Sequence, residues 1–193
     1  MAVEFAALVL AGGRARRLGG VDKVLLPVGG RSLLDRTLDA VAAADPVIVV
    51  GPQRETARAV EWTLEEPPGG GPLAGVHAGL RRLPASARLV AVLAGDHPHL
   101  EPATISRLLE ALLADPGAPG AVLADDAGEP QWLVGVWRTA ALREAMPGEA
   151  RNGSIRSAFA PLAPLLIPAS GAEASDVDTP EDLRRARETR RNE

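Results

Sequence analysis

Three uninterrupted apolar runs constrain this chain more than any other feature. They are Phe5 to Ala11, Val47 to Val50 and Leu89 to Ala94. None alternates apolar with polar residues, and none reaches the length of a stable helix. A strand that is apolar at every position must be covered on both faces, as in a parallel sheet between helical layers. Each run stops at glycine: Gly12-Gly13, Gly51-Pro52 and Gly95-Asp96. Between the first two runs, Ser32-Leu33-Leu34-Asp35 reads as a capping box in which Asp35 stands in for the usual glutamate. Leu34, Leu38, Val41 and Ala42 follow at helical spacing, so a helix is expected to about Ala44, with Pro46 ending it. A β-loop-α-β unit therefore opens the chain.

The remaining pattern continues the alternation of strands and helices. Gln53 to Glu61 is expected to form a short helix and Trp62 to Leu64 a short strand. Pro72 opens a helix with Leu73, Val76, Leu80 and Leu83 on one face. Gly75 and Gly79 lie four apart there and permit close packing. Pro102 opens another helix, with Ile105, Leu108, Leu109, Leu112 and Leu113 as its buried stripe. Strands are expected at Gly120 to Ala124, at Gln131 to Trp137 with Trp137 in the core, and at Leu162 to Ile167 as an edge. Thr139 to Met146 reads as helix. Thr179-Pro180-Glu181-Asp182 starts the last helix, with a capping hydroxyl, proline at the first position and acids at the positive end of the dipole. Aromatic residues are only 3% and tyrosine is absent, so the core must be built from Leu, Val, Ala and Ile. At 193 residues the chain is expected to form one α/β domain.

Several function classes are disfavoured at once. The formal charge is −4, which argues against a general nucleic-acid binder. The chain has no cysteine, which excludes disulfides, thiol catalysis and cysteine-ligated metals. No stretch of about 18–20 residues is free of charge, so no membrane span is expected. The first residues lack a basic segment followed by a long apolar one, so a cytoplasmic protein is the expectation.

The first chemical signal follows the first strand. Leu10-Ala11-Gly12-Gly13 leads into Arg14, Arg16, Arg17 and then Gly19-Gly20-Val21-Asp22-Lys23. Glycines let backbone N–H groups approach phosphate oxygens, and four cations against one acid make a polyphosphate the natural counterion. The spacing fits neither the Walker pattern nor G-x-G-x-x-G. The plainer alternative is a basic surface turn. Against it, the apolar stretch after Lys23 is expected to dock the loop's far end and hold that lysine in place.

The second signal is Asp96, where the third apolar strand ends. Ligands of open parallel sheets bind at the strands' carboxyl ends, so Asp96 and the glycine loop should meet at one edge. A carboxylate beside a polyphosphate suits Mg²⁺. The plainer alternative for Asp96 is a cap on the turn before Pro98, but the nearby glycine loop favours the ligand reading. Asp96, His97 and His99 also resemble a zinc set, although a proline-broken loop need not bring the three together. His77 reads as a packing or surface residue.

Leu10 to Arg36 resembles the signature of MobA-type molybdenum cofactor guanylyltransferases, within the wider nucleotidyltransferase superfamily. Gly71-Pro72-Leu73-Ala74-Gly75, Gly95-Asp96-His97-Pro98 and Asp176-Val177-Asp178-Thr179-Pro180 fit the same family in the same order. The resemblance implies a Rossmann-like three-layer α/β/α sandwich with a mostly parallel sheet. It implies that residues 1 to about 100 bind the nucleotide, and that about 101 to 193 complete the sheet and the acceptor side. It also implies GTP as donor, Mg²⁺ as cofactor and molybdenum-bearing molybdopterin as acceptor, with cofactor-delivery proteins or molybdoenzymes receiving the product; a related transferase using CTP or another small phosphorylated acceptor, and a non-catalytic nucleotide-binding homologue, are the alternatives.

Carried over residue by residue, the resemblance assigns triphosphate binding to Leu10, Ala11, Gly12 and Gly13, with the backbone N–H groups of Ala11 to Gly13 as the cradle. Arg17 and Lys23 would stabilise departing pyrophosphate, and Asp96 would hold the metal. Base and ribose would lie near Gly51 and Glu66, where the family often has Asn and Asp. Gly51 offers only backbone groups. Glu66 can accept from guanine or ribose, or be half of a solvated acidic pair with Glu65. Asp176 and Asp178 are candidates for the acceptor's pterin or for a second metal, the plainer alternative being that they only shape the turn before Thr179. Gln131 and Trp132 are further acceptor candidates. Arg151 to Arg156 reads either as a phosphate loop or as an exposed basic turn. His97 departs from the small or medium residue usual there.

Overall fold

A computed structural model describes residues 3–12 and 21–191. Seven strands form one sheet in the order β5 (Glu61–Thr63), β4 (Val47–Val50), β1 (Ala6–Leu10), β6 (Leu89–Ala94), β8 (Pro130–Arg138), β7 (Gly120–Ala124), β9 (Leu165–Pro168). Only β8 runs against its neighbours; every other pairing is parallel. The three apolar runs lie side by side at the centre, with Leu8 opposite both Ile48 and Val92.

Side chains of alternate parity cover opposite faces of this sheet. Ala7, Val9, Val49, Ala91 and Leu93 pack beneath α1 (Leu33–Ala40) and α3 (Pro102–Ala114). Ala6, Leu8, Ile48, Val90 and Val92 pack beneath α2 (Pro72–Arg82), α4 (Thr139–Ala145) and α5 (Ile155–Phe159). The result is the expected three-layer α/β/α sandwich. Each fully buried Leu or Val here stabilises the fold by roughly 1.5–3 kcal/mol relative to exposure. A short hairpin, β2 (Pro27–Val28) with β3 (Arg31–Ser32), packs against α6 (Pro180–Thr189) through Val28, Leu33, Val177 and Ala186.

The paired glycines of α2 do what their spacing suggests. A Cβ on Gly79 would stand 3.0 Å from Leu8 Cδ2, and one on Gly75 would stand 3.3 Å from Leu10 Cδ2. The helix axis therefore lies close over β1 and β4. Trp137 is fully buried in the core, its ring 4.8 Å from that of Phe159.

Three expectations need correction. Residues 53–60 form no helix. Their polar groups are committed elsewhere: the Arg58 side chain donates to the carbonyls of Leu38 and Val41, while the backbone N–H of Ala57 donates to Asp35 Oδ1. Helix α1 stops at Ala40, and its last apolar residues continue as a turn in which Ala44 N–H donates to Val41 O. Leu113 is 44% exposed, because the stripe on α3 closes at Leu112. Among the described residues, no helix is long and apolar enough to cross a membrane.

Candidate active site

Parallel pairing brings the ends of β1, β4 and β6 to one edge of the sheet. The ladder continues just past the strands: Ala11 N–H donates to Val50 O and Gly95 N–H to Leu10 O, both at 2.8 Å. The Ala11 donor is therefore already engaged in the sheet. This corrects the expected phosphate cradle, which can begin no earlier than Gly12. Gly51 sits against the same turn with φ 153°, and a Cβ there would lie 2.8 Å from the Ala11 carbonyl carbon and oxygen. No side chain fits at this position without moving the backbone. Base readout by a side chain from the end of β4 is thus removed by sterics as well as by residue type.

Lys23 opens a 3-10 turn, Lys23–Leu25, that buried Val24 anchors. Leu25 beside it is exposed, so Val24 carries the docking expected of this stretch. The Lys23 ammonium lies 2.6 Å from Asp96 Oδ2 and 2.7 Å from Asp178 Oδ1. Asp176 completes a cluster in which one carboxylate oxygen from each of Asp96, Asp176 and Asp178 lies within 4.8 Å of the others.

Local structure explains this convergence. The Val177 N–H donates to the Asp96 carbonyl at 3.1 Å, and its side chain is fully buried beside Val28, Leu33 and Ala186. Asp176 and Asp178 flank that anchored residue. Helix α6 starts immediately afterwards: Thr179 Oγ1 accepts from Asp182 N–H, while the Asp182 carboxylate accepts from the N–H groups of Asp178 and Thr179. The Thr179 hydroxyl also donates to Asp182 Oδ2 at 2.7 Å, and this bond, with the two N–H donors, holds the Asp182 carboxyl below its ordinary range.

The electrostatics suit a cation. Burial opposes ionisation of Asp96, but the His97 ring and the Lys23 ammonium outweigh it and hold the carboxyl well below its usual range. Burial likewise disfavours charge on Lys23, and the two carboxylates reverse this and raise its pKa. Asp176 is pushed up, first by desolvation and then by the Asp96 charge. The cluster offers only carboxylate oxygens, the donor type of Mg²⁺ and Mn²⁺. His97 instead places Nδ1 3.1 Å from Asp96 Oδ1. The acidic cluster, rather than the Asp96–His97–His99 set, is therefore what the geometry brings together for a metal.

The remaining candidates fall into described and undescribed residues. Gly13, Arg14, Arg16 and Arg17 lie outside the described residues. Glu66 is exposed in the Pro/Gly loop before α2, whereas the Glu65 carboxylate turns back to accept from Gly69 N–H. Gln131, at the start of β8, donates its amide to Asp125 Oδ2. The Arg151–Arg156 segment adjoins the start of α2, with Asn152 N–H donating to Gly70 O.

Sequence reasoning missed two anchoring residues. Arg54 makes a bidentate pair with Asp22, Nε to Oδ2 at 2.6 Å and Nη2 to Oδ1 at 3.1 Å. It ties the segment after β4 to the far end of the glycine loop. Glu173 is buried against α3, where it accepts from Thr104 and Arg107 and from Ser170 N–H. It fixes the turn that leads to Asp176. No local pattern flags either residue.

Lys23 and a carboxylate cluster stand at the carboxyl edge of a mostly parallel α/β sheet, the edge where open sheets of this kind bind their ligands. Residues 7–165 match the MobA-like NTP transferase domain, and the chain belongs to that family. A probable molybdenum cofactor guanylyltransferase of Opitutus terrae is 43% identical over 122 residues, covering 61% of this chain and 60% of that protein. The match therefore spans less than two thirds of that relative's length. A probable molybdenum cofactor guanylyltransferase of Natronomonas pharaonis is 32% identical over 204 residues, covering 96% of this chain and 98% of that one. Molybdopterin-guanine dinucleotide biosynthesis protein A from Archaeoglobus fulgidus shares the fold, with TM-score 0.72 and 23% identity over 99% of this chain and 100% of that one. So does Rv0371c of Mycobacterium tuberculosis in a complex with manganese, with TM-score 0.72 and 20% identity over 97% and 100% of the two chains.

Proposed function

We propose that this protein transfers GMP from GTP to molybdenum-bearing molybdopterin, releasing pyrophosphate and forming the guanine dinucleotide form of the cofactor. The observation that carries this reading is the cluster of Asp96, Asp176 and Asp178 around Lys23, in a chain of this family. An oxygen of the acceptor's terminal phosphate attacks the α-phosphorus of GTP. The bond from the α-phosphorus to the bridging oxygen breaks, and that oxygen leaves with pyrophosphate. The acceptor phosphate has a second pKa of about 6 and is largely dianionic at neutral pH, so no strong general base is required. The protein's part is to align two anions and offset growing charge.

Glycine-loop N–H groups from Gly12 onward bind the triphosphate. Lys23 exchanges carboxylate contacts for phosphate oxygens, and Arg17 joins it on the departing pyrophosphate. Asp96, with Asp178 or Asp176, would hold Mg²⁺. That ion would supply charge neutralisation at the departing pyrophosphate. Glu66 selects guanine, since a carboxylate accepts from both N1–H and the exocyclic amine. Gln131 lies on the acceptor side. The product's recipients are cofactor-delivery proteins or molybdoenzymes, and the reaction belongs to the cytoplasm.

The test supplies purified protein with molybdopterin, Mg²⁺ and each nucleoside triphosphate in turn, then measures pyrophosphate and identifies any dinucleotide. GTP alone should give product. Asp96→Asn should slow turnover at least about 100-fold, the scale of losing metal-based charge stabilisation. A CMP dinucleotide would replace the donor assignment with CTP, and no pyrophosphate from any donor would defeat the transferase reading.

A further inference from the structure

We propose that His97 is a positioning residue for the cation site: it holds one oxygen of Asp96 so that the other faces the acidic cluster. This rests on the cation reading above and deepens it. The two Asp96 oxygens have different partners. Oδ1 lies 3.1 Å from His97 Nδ1, whereas Oδ2 is the oxygen 2.6 Å from Lys23 Nζ. The backbone of Asp96 is already fixed on both sides of its side chain. Gly95 N–H donates to Leu10 O, and the Asp96 carbonyl accepts from Val177 N–H. The freedom left to Asp96 is rotation of its carboxylate, and a ring bonded to Oδ1 removes it. A carboxylate held in this way presents a single ligand oxygen, as Mg²⁺-type sites use.

The environment of His97 argues that the ring serves Asp96 rather than the core. The residue is 5% exposed. Its Nε2 is buried and has no hydrogen-bond partner among the described residues. A buried nitrogen without a partner is a desolvation cost that an apolar residue of similar size would avoid. What the ring supplies in return is its Nδ1 contact with Asp96. Partners that orient a metal-binding side chain in this way tune affinity without touching the ion.

Mn²⁺ titration by electron paramagnetic resonance, with and without GTP, tests the inference. The variants are His97→Leu, His97→Asn, His97→Gln and Asp96→Asn. The Asn amide stands near the position of Nδ1, whereas the Gln amide reaches toward that of Nε2. His97→Leu and His97→Gln should each weaken Mn²⁺ binding roughly 10- to 100-fold. His97→Asn should recover most of that loss, and GTP affinity without metal should be unchanged in all three. A merely structural histidine would show no such Asn-against-Gln split. Asn and Gln variants with the same Mn²⁺ affinity, or wild-type affinity in a folded His97→Leu while Asp96→Asn loses it, overturns the positioning role. Wild-type Mn²⁺ affinity in Asp96→Asn overturns the cation reading beneath it.

Discussion

Lys23→Met removes the one ammonium that bridges the acidic cluster while keeping a side chain of similar length. Lys23 and Asp96 have side chains 21% and 16% exposed and are 2.6 Å apart. A charge-assisted hydrogen bond of this kind contributes roughly 1.5–3 kcal/mol. The second contact, at 2.7 Å, reaches Asp178, whose side chain is 51% exposed, so it adds only about 0–1 kcal/mol. The net loss should be about 1.5–4 kcal/mol. With a urea dependence near the upper end of about 1–3 kcal/mol per molar, the unfolding midpoint should fall by about 1 M.

Mn²⁺ should then reverse the loss. At about 100 times its dissociation constant, a ligand specific to the folded state adds about 2.7 kcal/mol. Wild-type protein should gain less, because there the ion competes with the Lys23 ammonium for Asp96 Oδ2. Urea denaturation of both proteins with and without Mn²⁺ reads this directly. A variant midpoint equal to wild type without metal would show that the Lys23 contacts do not stabilise the fold, and equal Mn²⁺ stabilisation of the two proteins would show that the ion does not compete with Lys23 for Asp96.

Gly51→Ala places a Cβ 2.8 Å from the Ala11 carbonyl. It should cost about 1–3 kcal/mol by overpacking and weaken GTP binding, read by denaturation and calorimetry. Arg54→Lys loses the bidentate contact to Asp22, so GTP binding should weaken severalfold with kcat retained, as steady-state kinetics will show. Glu173→Gln concerns a carboxyl that burial would raise but that Arg107, Thr104 and the Ser170 N–H hold below its ordinary value. A depressed carboxyl stabilises the fold above its unfolded pKa and loses that contribution as pH falls through its folded value. The Gln variant should be about 1–3 kcal/mol less stable at pH 7. The gap should close as pH falls through and below the ordinary carboxylate range, measured by urea midpoints across pH.

The fold is readable in the sequence where burial is two-sided, because Ala6 to Leu10, Val47 to Val50 and Leu89 to Ala94 admit no polar residue on either face. The helix starts at Ser32, Pro72, Pro102 and Thr179 are equally plain, since capping chemistry is local. Residues 53–60 mislead because their polar groups bond to Asp22, Asp35, Leu38 and Val41, which local spacing does not reveal. The site divides in the same way. Asp96 follows from its place at a strand end and Lys23 from its glycine loop. The approach of Asp176 and Asp178 to Asp96 depends on one long-range bond from Val177 and on its burial under α6. The glycine pattern points the Ala11 N–H at phosphate, yet sheet pairing to Val50 O takes it first.

The proposed function requires one triphosphate and its cation to lie between the glycine turn and Asp96. Crystals grown with GTP and Mn²⁺, with data collected at the manganese absorption edge, test it most directly. The predicted result is an anomalous peak at about 2.1 Å from an Asp96 carboxylate oxygen, with phosphates running from that ion to Gly12. A manganese peak bound away from Asp96, or a triphosphate on the opposite edge of the sheet, would contradict it.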